Sequence, residues 1–189
     1  MHYASVENIS KSYGIRTLFK NISFYVEEGD KIAFVARNGT GKSTLLKIFA
    51  GLDTADDGVL WVHKDVKVIM LQQDTPFMEE KSIRENVLRL DNPVIKTVSA
   101  YEEYLDEGKE DMDLLTDIMG KMEELNAWGF ESEMKQILGK LNLHDLEAKM
   151  NTLSGGQRKR VALAQSLIEA QLHEGRCLLI LDEPTNHLD

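Results

Sequence analysis

A chain of 189 residues is long enough for one domain with an inserted subdomain, and 42% hydrophobic with 29% charged residues is a globular balance rather than a disordered one. No apolar stretch approaches the length needed to cross a bilayer, the first residues carry no charged-then-apolar export pattern, and the single cysteine, Cys177, excludes an intrachain disulfide, so a cytoplasmic protein without direct membrane insertion is expected. The formal net charge of -10 belongs to residues 101–133, where twelve acids face only Lys109 and Lys121; it reads as a solvated helical face and argues against that segment lying on nucleic acid.

The first third reads as strands. Tyr3–Ile9, Ile22–Glu27 and Lys31–Ala36 are rich in β-branched or aromatic residues, with a turn at Glu28-Gly29-Asp30. Ser43–Ala50 has a helical pattern stopped by Gly51, and Gly58–His63 with Val66–Leu71 form a further strand pair. From Ser82 the period changes. Ser82-Ile-Arg-Glu85 and Ser99-Ala-Tyr-Glu102 both match the capping box, in which serine and glutamate satisfy each other's free backbone donors. Apolar stripes through Leu114, Ile118, Met122 and through Met134, Leu138, Leu141 predict two core-facing helices. A last helix spans about Gly155 to Gln171, followed by a buried strand, Cys177–Leu181, in which the thiol is expected to be buried and inert.

Ala36-Arg-Asn-Gly39-Thr-Gly41-Lys42-Ser43 follows an apolar run and opens a helix, the setting a phosphate-binding loop requires. Glycines let the backbone approach an anion, successive N–H groups point inward, and the helix adds its positive end. Lys42 is placed for the β- and γ-phosphates and Ser43 for Mg²⁺. Ala36 stands where such loops usually have glycine, which matters only if the backbone there needs a positive φ. Downstream, the strand Leu178–Leu181 ends in Asp182-Glu183. Side chains alternate along a strand, so these acids cannot share one role. Asp182 suits Mg²⁺ through its water shell, and Glu183 suits a water that attacks phosphorus.

Leu153-Ser154-Gly155-Gly156-Gln157 resembles the signature sequence of ATP-binding-cassette (ABC) ATPases, and with the two preceding motifs in order the resemblance covers the whole chain. Ser154 and Gln157 form a capping box at a helix start, and the glycines leave N–H groups open to an anion. The resemblance implies an α/β phosphate-loop cassette with a RecA-like core and an antiparallel β subdomain, residues 1–75 and 170–189. It further implies a helical subdomain with an acidic arm-like insertion, residues 76–169. It implies ATP and Mg²⁺ as cofactors, held by Asn38, Gly39, Thr40, Gly41, Lys42, Ser43 and Thr44. Tyr13 sits where the family stacks an aromatic on adenine. Gln73, rather than its neighbour Gln72, matches the glutamine that touches Mg²⁺ and water. Ser154, Gly155, Gly156 and Gln157 would close over nucleotide held by a second cassette, and Asp189 matches an aspartate that crosses that interface.

Pro184-Thr-Asn-His-Leu-Asp189 and Arg158-Lys-Arg-Val161 look like the soluble F branch, several of whose members act on ribosomes. The expected partners are therefore a second cassette and the ribosome. The family's switch histidine lies beyond the aspartate, so His187 is not it, and a chain truncated soon after the Asp182-Glu183 motif is expected to be slow or inactive alone. The rival functions are the ATPase subunit of a membrane transporter and a nucleotide-gated clamp with negligible turnover.

Overall fold

The structure, a computed structural model, describes residues 1–71, 75–108, 110–173 and 175–182. They divide into two compact units, one built from residues 1–71 with 173–182 and the other from the chain between.

The first unit begins with a long hairpin, β1 (His2–Tyr13) and β2 (Arg16–Glu27), which turns at Gly14 with φ +58°. After β2 the chain turns as expected, with the Glu27 N–H donating to Asp30 Oδ2 at 2.8 Å and Gly29 at positive φ. Helix α1 (Lys42–Phe49) follows, then β3 (Asp57–Val62), which pairs antiparallel on the other side of β1 to give the order β2-β1-β3. Strand β4 (Val66–Leu71) pairs with the last strand, β5 (Arg176–Leu181), in parallel and in unbroken register from Val66–Arg176 to Leu71–Leu181. Ala4, Val6, Ile9 and Val26 from the sheet bury against Leu45, Leu46, Ile48 and Phe49 of α1 and against Val66 and Ile180. That packing fixes the direction in which α1 presents its N-terminus.

Lys31–Ala36 forms no strand. Among the described residues none pairs with it, and Val35 is fully open to solvent while Phe34 alone turns inward, its ring edge-on to Phe24 at 5.0 Å. Strand propensity measures how well a side chain fits a pleated, half-buried surface, and it is realised only where a partner ladder exists. Cys177 also differs from expectation: it is only partly covered. Alternation along β5 sends Leu178 and Ile180 to the core and Cys177 to the opposite face.

The second unit is helical: α2 (Ile83–Val87), α3 (Pro93–Asp106), α4 (Met112–Glu124), α5 (Phe130–Lys140) and α6 (Gly155–Gln171). Its core joins Ile83, Val87, Ile95, Ile118, Met122, Met134, Leu138, Val161 and Ile168, so both apolar stripes turn inward except at Leu114, which is exposed. Ser82 caps α2 through a complete capping box with Glu85. The second expected box is absent. Ser99 lies inside α3, which starts six residues earlier at Pro93, where Asn92 caps the Val94 N–H. A serine followed by glutamate three residues on marks a start only where a competing start is missing, and Asn92-Pro93 supplies one.

Candidate functional site

Helix α1 opens at Gly41, whose φ of +96° is a left-handed cap, and the preceding turn passes through Gly39 at +76°. A Cβ on Gly41 would stand 3.0 Å from both Leu18 Cβ and Phe19 Cδ1, so glycine is needed there for conformation and for space. No side chain caps α1 and no acid lies in its first turn, unlike α2, α3, α4 and α6, whose side-chain caps hold their first donors. The first N–H groups of a helix have no intrahelical acceptor, so Lys42, Ser43 and Thr44 present theirs at the loop. The Lys42 ammonium folds over the same loop, donating to the Ala36 carbonyl at 2.7 Å, the Arg37 carbonyl at 3.5 Å and Asn38 Oδ1 at 3.3 Å. Thr40 Oγ1 donates to the Arg37 carbonyl at 2.8 Å, and Arg16 Nη2 reaches in from β2 to the Gly39 carbonyl at 2.9 Å. Ala36 is not among the residues with positive φ, so its Cβ costs the loop nothing.

Asp182 follows β5 in the same unit and is buried, 6% exposed. Tyr13 ends β1 and is 55% exposed, but its hydroxyl is committed, donating to Asp53 Oδ2 at 2.9 Å. The Asp53 carboxyl is held below its usual range, first by the Thr54 N–H, then by the Tyr13 hydroxyl and the Lys11 ammonium. Gln73, Glu183 and Asp189 lie outside the described residues, as does Gln72.

In the second unit, Ser154 caps α6: its Oγ accepts from the Gln157 N–H at 3.2 Å, and Gln157 Oε1 accepts from the Ser154 N–H at 2.9 Å. Gln157 is thus spent on the cap. A Cβ at Gly155 would meet nothing within 4 Å and its φ is not positive, so neither packing nor backbone demands glycine there. Sequence reasoning missed what anchors this turn. Arg158 forks onto both oxygens of Glu79, donates to the Met150 carbonyl at 3.0 Å and lies 5.7 Å from the Phe77 ring. The strand-like contact of residues 79–84 with 146–151 includes Met150 N–H to the Lys81 carbonyl and Asn151 N–H to the Glu79 carbonyl, each 3.0 Å. Only a separation of nearly eighty residues hid Glu79 from view.

A glycine-shaped loop, an uncapped helix start, a lysine folded over them and a carboxylate after a parallel strand define a phosphate-loop nucleotide-binding domain. The fit to Mg-nucleotide rests on that helix start, which no side chain caps, and on that lysine. Among the described residues no cluster of three His, Cys, Asp or Glu forms a metal cage, and Mg²⁺ in such sites is held by one or two protein oxygens together with substrate phosphates. Comparison with known proteins fixes the family. The family described as ABC transporter matches residues 19–186, and the chain belongs to it as an ATP-binding-cassette domain. YfmR of Bacillus subtilis strain 168, named an uncharacterised ABC transporter ATP-binding protein, is 40% identical over 195 residues, covering 100% of this chain and 30% of its own. The energy-dependent translational throttle protein EttA of Escherichia coli K12 is 35% identical over 182 residues, covering 92% of this chain and 32% of its own. The chain spans about a third of the length of these curated relatives. A solved ATP-binding subunit of an ABC transporter superposes with TM-score 0.66 at 20% identity, covering 99% of this chain and 68% of that one, and shares the fold. These relatives accord with the likeness to the first cassette of an F-branch protein. No helix among the described residues is long and apolar enough to cross a membrane.

Proposed function

We propose that this cassette binds Mg-ATP and that the full-length protein hydrolyses it between two cassettes, acting as a soluble ribosome-associated factor of the F branch. The observation that carries the reading is the uncapped start of α1 under the Lys42 ammonium. ATP supplies the γ-phosphoryl group, and Mg²⁺ offsets its charge. Asn38, Gly39, Thr40 and Gly41 shape the loop, the backbone N–H groups from Gly41 to Thr44 hold phosphate oxygens, and Lys42 neutralises charge that develops on them. Ser43, Asp182 and Gln73 bind the cation directly or through water. Glu183 orients the attacking water and takes its proton. Tyr13 stacks on the base.

Ser154, Gly155 and Gly156 act across the interface, on nucleotide held by the second cassette, with Gln157 holding the turn through its cap. The open space at Gly155 supports this: a glycine its own domain does not require suits a surface that another body approaches closely. The ribosomal part rests on the relative named a translational throttle protein. The name ABC transporter on the other relative favours a second reading, a transporter subunit, and co-purification with a membrane subunit would decide for it.

Hydrolysis is tested by Glu183→Gln in the full-length protein. The amide keeps the shape and cannot accept a proton, so ATP should bind normally while steady-state turnover falls by about a hundredfold or more. Parental turnover in the variant would remove Glu183 from its role.

A further inference from the structure

Lys11 is a lysine with almost no access to solvent, 7% exposed, two residues before Tyr13 near the end of β1. Its ammonium donates to the Thr54 carbonyl at 2.5 Å and to Asp53 Oδ1 at 3.2 Å, and pairs with Asp56 at 3.6 Å. Asp53 Oδ2 accepts the Tyr13 hydroxyl, and Asp56 Oδ2 accepts the Ser12 N–H at 2.7 Å. The ammonium also lies 5.4 Å from the centre of the Tyr13 ring. Tyr13 is therefore held twice, at its rim by a carboxylate and on one face by a cation. Because the buried ammonium lies beneath the ring, the exposure of Tyr13 belongs to the opposite face. With its hydroxyl proton spent on Asp53, what that face offers a ligand is a π surface. A cation under one face draws electron density through the ring and favours an electron-rich partner on the other.

We infer that Lys11 and Asp53 are positioning residues that hold Tyr13 as a preformed platform for a purine base. The inference rests on the reading of the chain as a nucleotide binder, and deepens it. A ring already fixed loses little freedom on binding, so the brace should act on affinity for the base and not on the phosphate half of the site.

Calorimetric titrations of the full chain with Mg-ATP and with Mg-tripolyphosphate, which has the phosphates and no base, separate the two. Tyr13→Phe, Asp53→Asn and Lys11→Met should each weaken Mg-ATP about three- to tenfold, the worth of one net hydrogen bond, and leave tripolyphosphate unchanged. Lys11→Arg, which keeps the cation, should recover most of the loss. Tyr13→Phe alters only an exposed hydroxyl and decides the matter even if Lys11→Met fails to fold. If Tyr13→Ala weakens Mg-ATP but Tyr13→Phe and Asp53→Asn do not, the brace is wrong and the base contact stands. If Tyr13→Ala has no effect, the base contact itself is wrong. Equal losses for both ligands would make the cluster merely structural and overturn the inference.

Discussion

Gly41→Ala perturbs the loop at the point where shape and chemistry meet. An alanine at φ +96° pays about 1–2 kcal/mol for the left-handed region. Its Cβ would also stand 3.0 Å from Leu18 Cβ and from Phe19 Cδ1. Neither neighbour yields easily, because Leu18 Cβ adjoins backbone and the Phe19 ring packs against the core of the first unit. Such overpacking adds about 1–3 kcal/mol. The total, about 2–5 kcal/mol, should lower the urea midpoint by about 1–2.5 M at a slope of about 2 kcal/mol/M. Mg-ATP affinity should fall with it, since relief of the clash re-aims the N–H groups that open α1. An unchanged midpoint with unchanged affinity would refute both the steric argument and the role of the loop.

Arg158→Gln should destabilise the second unit, and the loss should depend on pH. The Glu79 carboxyl lies below its ordinary 4.5, chiefly because Arg158 bonds to it, so the pair contributes fully above that value and is lost as pH falls through the lower folded one. The gap between the urea midpoints of wild type and variant should therefore be constant near neutrality and close as pH falls below the ordinary glutamate range; a gap that widened in acid would contradict the pairing. Charge in residues 101–133 should be dispensable for nucleotide. Asp111 caps α4 and Glu102 pairs with Arg84, so the clean test converts only Glu103, Asp106 and Glu110 to glutamine. Mg-ATP affinity should hold, and any ribosome binding should stay or tighten at low salt; loss of binding to protein-depleted RNA particles would show a specific RNA contact.

What could be read from sequence was what is local. The turn into α1 is set by residues within ten positions of one another, and Gly39, Gly41 and Lys42 stand where the motif placed them, although Arg16, Leu18 and Phe19 of β2 also border the loop. The Ser82 and Ser154 caps close over three residues and were equally readable. The strand expected at Lys31–Ala36 was not, because pairing is decided by a partner far away in the chain. The Tyr13 brace joins residues about forty apart, and no period or spacing marks Asp53 as the partner of a tyrosine hydroxyl. The Arg158–Glu79 fork spans a still longer interval. Ser99 shows the opposite error, a local pattern overruled by a stronger local start at Asn92-Pro93.

The central claim is that the loop at the start of α1 holds the phosphates of ATP through Lys42. Isothermal titration of Mg-ATP into wild type and Lys42→Ala tests it most directly. On this account the ammonium supplies the charge-assisted contacts to the phosphates, so the wild type should bind and the variant should show no measurable heat of binding. Equal affinity in the two proteins would contradict the account.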